Sequence, residues 1–485
     1  MKRPEGDDLR AQLLLCAVRS GSSDEALATL GRQGVSLSPT QLDIVENLLS
    51  DSGTVAGHGL VQMFREAHGR LGPEWMEFAL LGKIFQAVSR SDPAELTLLE
   101  SMVGEFNETR SYCWIILRAV QSEACRRNGD LALAQFHVRD GFERLPRVLH
   151  PAIAGICQAH IEHSRGIVAQ DSGNFSLALE SLSSAEENAK KLGLRFAPLV
   201  AYQLASLHWS SGQFSAALNM HLDSAHREQL LVAYGPAWLI RSHLSAAKCA
   251  IDANELLIAE KELRTADQLL RETENVPRML PGFFLLYSGE LNLKALKGKD
   301  SRGFELLEEA CQHFESMDPP LHAGLLDAKI SITQYAISSD DHRRMFGVLH
   351  SILEEATAKG CLEARARALV FESSLFVSDN PPLRAAFDDL VTRLHVINNP
   401  ALLMQAFANL FTYSLRYLEQ PDQAFLMGRL RNLQTVLDES CFQDLYETYI
   451  EKRYSWAIEN RLAEELEKED QAFDDESTGG REPTI

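Results

Sequence analysis

The sequence lacks an apolar run long enough to cross a bilayer. Its run Leu13-Leu14-Leu15-Cys16-Ala17-Val18 falls far short of the ~18–20 residues a spanning helix needs. The opening residues, Met1-Lys2-Arg3-Pro4-Glu5-Gly6-Asp7-Asp8, mix acid with base and lack the apolar stretch of a secretory leader. A soluble, cytoplasmic protein with no membrane insertion is expected. Paired cysteines are missing too. Cys16, Cys113, Cys125, Cys157, Cys249, Cys311, Cys361 and Cys441 form no Cys-x-x-Cys, which argues against a zinc site or a disulfide framework. Plain buried thiols in a reducing compartment are expected instead. Basic charge is short: 47 Lys and Arg against 68 Asp and Glu leave a net charge of −21. That is the wrong sign for sequence-independent nucleic-acid binding, which depends on Lys and Arg displacing counterions.

Signatures of catalysis are absent as well. Gly53-x-x-x-Gly57-x-Gly59 lacks the Lys-Ser/Thr pair and the preceding strand of a phosphate loop. No Gly-x-Ser-x-Gly elbow and no His-Glu-x-x-His occurs. His160-Ile161-Glu162-His163 is the nearest approach to a metal pair. It has no identifiable third ligand, so these histidines read as the rim of a helix pair. His221 and His226 read as lying on one helix, too far apart around it to share a ligand. Ser339-Asp340-Asp341-His342 reads as an N-cap opening a helix at Arg343. Glu308-Glu309 and Glu354-Glu355 read as solvated helix faces. The expectation is no enzyme, no cofactor and no metal.

What the sequence does have is periodicity. Gly and Pro are sparse and fall between apolar stretches of helical spacing, and 45% of residues are apolar, enough to exclude disorder over most of the length. One phrase recurs: Gly129-Asp130-Leu131-Ala132-Leu133-Ala134, then Gly173-Asn174-Phe175-Ser176-Leu177-Ala178, then Gly212-Gln213-Phe214-Ser215-Ala216-Ala217. The frame continues through Ala259 and Gly303, and more weakly through Met345, Ala386 and Ala424, in steps of 38–44 residues. Repetition at such a period marks a solenoid, because each unit buries its apolar face only against its neighbours.

The clearest unit runs from about Ala159 to Lys191, with a turn at Asp171-Ser172-Gly173-Asn174. At Gly166, Ala178 and Ala185 it resembles the tetratricopeptide repeat, whose small residues let two helices cross closely. Gly173 and Phe175 match the family's turn. Arg165 and Ala169 depart from it, standing where the family has Leu and Tyr. The repeat here is also longer than the family's 34 residues, so each helix should gain about one turn.

The resemblance implies an all-α, right-handed α-solenoid of helix-turn-helix repeats, about nine to eleven pairs. The expected layout is an N-terminal helical region with degenerate units over 1–110 and the solenoid proper over 111–440. A capping helix over 441–469 and a disordered acidic tail over 470–485 complete it. A looser connection is expected over 33–60. By the same resemblance, ligand contacts come from the first helix of each unit. Carried over by frame, those positions hold His163, Tyr202, Trp209, Arg241, Lys248 and Asn292. The Lys/Asn/Asn/Lys/Arg set with which the family holds chaperone C-termini is absent. The implied function is a non-enzymatic scaffold or adaptor that takes a partner protein or peptide in a concave groove. The alternative is a peptide- or ligand-responsive regulatory sensor, although no helix-turn-helix or ATPase output module is visible at either end.

Overall fold

The structure is a computed structural model. It describes residues 5–19, 23–32, 38–49, 57–68, 70–90, 93–106, 112–127, 130–296, 301–318, 320–336, 342–359, 361–377, 384–397, 399–418 and 420–434. The expected capping helix and acidic tail, Gly129, Cys441 and the residues Ser339–Asp341 lie outside the described residues. Among the described residues the chain forms twenty-three α-helices and three short 3-10 turns, with no strand. No described helix is long and apolar enough to cross a membrane. The helices divide into two compact units, residues 1–207 with 219–242, and residues 208–218 with 243–485.

In the first unit the clearest repeat pairs the Pro151–Asp171 helix with the Phe175–Leu192 helix. Its turn is built from local chemistry. Gly173 takes φ 77°, a conformation that Gly adopts without steric cost, and Asn174 caps the second helix by accepting the Leu177 N–H at 3.2 Å. The helices cross where the sequence places its small residues. A Cβ on Gly166 would lie 2.6 Å from Leu182 Cγ and 3.2 Å from the Leu182 backbone nitrogen, while Ala178 and Ala185 are fully buried. Upstream, a core that includes Leu13, Phe64, Leu80, Ile84, Leu99 and Ile116 joins the N-terminal helices to the repeats that follow.

Two local features differ from expectation. Much of 33–60 is helical: Pro39–Leu49 buries Val45, Leu48 and Leu49. Its start is a capping box, with the Gln41 N–H on Ser38 Oγ and the Ser38 N–H on Gln41 Oε1. The second difference lies at His221 and His226. They sit on separate helices, Phe214–Leu222 and Ser224–Tyr234, because the Asp223 carboxylate takes the Ala225 N–H and starts a new helix.

In the second unit the Met279–Ala295 and Ser301–Glu315 helices pack through glycine on both sides. A Cβ on Gly289 would meet the Gly303 carbonyl oxygen at 3.0 Å and Leu307 at 2.8 Å; one on Gly303 would meet Leu293 at 2.5 Å. Beyond them the His322–Ala336, His342–Ala358, Leu362–Ser374 and Pro400–Tyr417 helices continue the stack, around a core that includes Leu326, Leu369, Phe376, Met404 and Phe411.

A polar cavity on the first helices of the second unit

Side chains on the first helix of one repeat reach the first helix of the next. In the first unit Arg126 Nη1 donates to Asp171 Oδ2 at 2.8 Å, 45 residues on, and Ser164 Oγ donates to the Ala119 carbonyl, 45 residues back. In the second unit Trp209 Nε1 donates to Asp252 Oδ2 at 2.7 Å across 43 residues. Lys248 Nζ donates to Glu290 Oε2 at 2.9 Å across 42, and Ser331 Oγ to Glu290 Oε1 at 2.6 Å across 41. The sequence period is thus written in hydrogen bonds.

The second-unit bonds form the wall of a cavity of about 300 Å³. Its charged lining is Lys248, Asp252, Glu290, Lys294 and Arg367, and Trp209 stands beside them. Lys248 bonds Asp252 Oδ1 at 3.1 Å as well as Glu290. Arg367 pairs with Asp327 at 2.8 Å and lies 3.6 Å from Glu290. Lys294 donates to the Ile251 carbonyl. Phe214, Ile330 and Phe371 supply apolar wall, and the start of the Pro400–Tyr417 helix adds Asn399, Leu402 and Gln405.

Burial sets the electrostatics. It disfavours ionised Glu290, but Lys248, Arg367 and the Ser331 hydrogen bond outweigh it and hold the carboxyl below its usual range. Burial also disfavours charged Lys248, and Asp252 and Glu290 reverse the effect, so its ammonium is held more firmly than usual. Lys294 shifts the other way: burial, with Lys248 nearby, lowers its pKa despite Asp252 and Glu290. Asp327 is raised by burial, against the pull of Arg367. Both lining carboxylates are committed to ion pairs, and Glu290, held ionised, is unsuited to proton transfer near neutral pH.

The six residues carried over by frame fall in several places. Trp209 and Lys248 meet on Asp252 and line the cavity. Tyr202, in the first unit, is buried with its ring 5.1 Å from His221 and 5.5 Å from Trp238, and Arg241 lies over the same Trp238 at 4.7 Å. His163 packs on Phe196, with its buried Nε2 lacking a hydrogen-bond partner. Asn292 shares a helix with Glu290 and Lys294 but is not among the cavity residues.

Asp252, Glu290, Lys294 and Arg367 escaped the frame argument. A signal for three of them was present: Lys248/Asp252 and Glu290/Lys294 are charge pairs four apart, of opposite order, set one repeat apart. Such pairs ordinarily read as a solvated face. Among the described residues no cluster of three or more His, Cys, Asp or Glu is arranged to hold a metal, and no disulfide links the seven described cysteines. Cys249 is pushed up to about 12 by burial.

No protein-family model and no curated protein matches the sequence. Solved structures do match. A Rap protein complexed with Competence and Sporulation Factor aligns with a TM-score of 0.54 at 14% identity, over 74% of this chain and 98% of that one. NprR in complex with its cognate peptide NprX aligns with a TM-score of 0.52 at 12% identity, over the same shares. The chain has a tetratricopeptide-type repeat fold. This repeat fold accounts for the small residues at the helix crossings and for the period of the polar bonds. At these identities the likeness is one of fold.

Proposed function

We propose that the chain is a non-enzymatic binding protein that takes a peptide, free or as a segment of a partner protein, on the first helices of its second unit. The observation that carries this reading is the cavity. It combines apolar wall, aromatic edge and fixed charges, the mixture by which a small number of polar groups orients a largely apolar ligand. Its charges hold one another in place before any ligand arrives, which lowers the ordering cost of binding. The committed carboxylates favour binding over catalysis. Two structural neighbours with TM-scores above 0.5 are described as complexes with a factor and with a cognate peptide, which supports a peptide as the ligand class.

A regulatory role is the second reading. The ion network joins the Pro236–Asp252, Met279–Ala295, His322–Ala336 and Leu362–Ser374 helices through Lys248, Glu290, Ser331 and Arg367. A ligand competing for its cations would act on residues from all four helices together.

The test is affinity selection. The full chain is mixed with a randomised pentapeptide pool, separated by gel filtration and its retained peptides read by mass spectrometry. Gln334→Ala with Gln405→Ala removes two lining amides outside the ion network. Retention by the natural chain and a loss of about tenfold in the variant is the expected result. Equal retention by both would place binding elsewhere.

A further inference from the structure

We infer that Lys294 is a covalent capture site: its ε-amine condenses with the carbonyl carbon of an aldehyde whose apolar body packs on Phe214 and Phe371. This goes beyond peptide binding and does not depend on it. Three observations lead there. The first is a missing partner. Every other charged side chain lining the cavity sits in an ion pair: Lys248 with Asp252 at 3.1 Å and with Glu290 at 2.9 Å, and Arg367 with Asp327 at 2.8 Å. Among the described residues no carboxylate lies within ion-pair distance of Lys294, whose Nζ donates to the Ile251 carbonyl instead. A carbonyl oxygen accepts from a neutral amine as well as from an ammonium, so this bond places the nitrogen without requiring its charge.

The second observation is how the two lysines of the cavity differ. Burial strips water from the Lys294 ammonium and Lys248 repels it; together they outweigh Asp252 and Glu290, so Lys294 gives up its proton more readily than an ordinary lysine. Lys248 is held charged by the same two carboxylates. A desolvated lysine beside a second cation is the setting that frees an amine to attack carbonyl carbon. The third is space. Lys294 is half-buried and borders a cavity of about 300 Å³ whose apolar wall includes Phe214, Ile330 and Phe371, which suits an aryl or alkyl group. The neutral amine adds to the carbonyl carbon, its two hydrogens leave with the carbonyl oxygen as water, and a C=N bond replaces the C=O bond.

The test is imine trapping. The full-length protein is incubated near neutral pH with benzaldehyde and sodium cyanoborohydride, whose hydride reduces an imine to a stable benzylamine, and the labelled lysines are mapped by mass spectrometry. Labelling of Lys294 about tenfold ahead of a solvated lysine, the gain from seating one ring on apolar wall, is the expected result. The exposed Lys190, Lys191 and Lys261 supply the reference. Lys294 labelled at or below their level would overturn the proposal, and this readout needs no variant. Lys294→Arg, which keeps a charge and a donor for the Ile251 carbonyl, should remove the leading adduct while the thermal transition stays in place; an adduct that survives would overturn the assignment to Lys294. Formaldehyde has no apolar body, so Phe214→Ala should lower labelling of Lys294 by benzaldehyde and leave labelling by formaldehyde unchanged. An equal loss with both would overturn the apolar seat. No peptide enters this experiment, so its failure and that of the peptide reading are distinguishable.

Discussion

Glu290 joins three side chains of the second unit. It is 4% exposed and takes Lys248, Ser331 and the more distant Arg367. Removing one partner of a buried ion pair leaves the other charge uncompensated, at a cost of about 3–5 kcal/mol. Glu290→Ala should lower unfolding free energy in urea by that amount, and a loss below about 1 kcal/mol would mean the network is solvated. Glycine gives a second contrast. Gly166→Ala forces a methyl into Leu182 and should cost about 1–3 kcal/mol by overpacking. Gly347→Ala, with no atom within 4 Å of its Cβ and exposed on a helix, should stabilise by up to about 1 kcal/mol. The frame made Gly166 legible because steric need repeats with the period, and the same register set Trp209 and Lys248 on first helices, where they line the cavity. Arg367 was not legible, since its partners Asp327 and Glu290 are fixed by packing of helices 40 and 77 residues away in sequence.

At the scale of elements, the start of each helix is where sequence spoke most directly. Asn174 and Asn399 both cap through their side-chain oxygens, and Pro236 and Pro400 sit at the first positions of their helices. Asn174→Ala should cost about 1 kcal/mol, measurable as a lowered unfolding midpoint; an unchanged midpoint would assign the turn to Gly173 alone. The helix Pro39–Leu49 was hidden because Ser, Gly and Thr around it look like a loop until the Ser38/Gln41 box is recognised. The break at Asp223 was hidden for the opposite reason: the apolar spacing runs on through it, and only the side-chain hydrogen bond to Ala225 interrupts the helix.

At the scale of the whole molecule, acid should act through histidines in the first unit. Burial lowers His160 to about 3, with His163 adding to the effect; it lowers His163 to about 4 and His221 to about 3. These groups take up protons more readily unfolded, near their ordinary 6.5, than folded. Stability is therefore complete above pH 6.5 and falls as pH drops toward 4, by up to about 1.4 kcal/mol per pH unit for each histidine. Urea melts of the full chain between pH 7 and 4.5 read this directly, and His163→Gln should flatten the slope. A slope unchanged by the substitution would show His163 to be solvated.

The architecture was legible because repetition forces neighbour-on-neighbour packing; the ligand chemistry was not, because it rests on bonds between residues a full repeat apart. The decisive measurement is amide hydrogen exchange of the full chain with and without a pentapeptide retained in the selection. The account predicts slower exchange in Met279–Ala295, Leu362–Ser374 and the first turns of Pro400–Tyr417. Protection confined to other helices, with these unchanged, would contradict it.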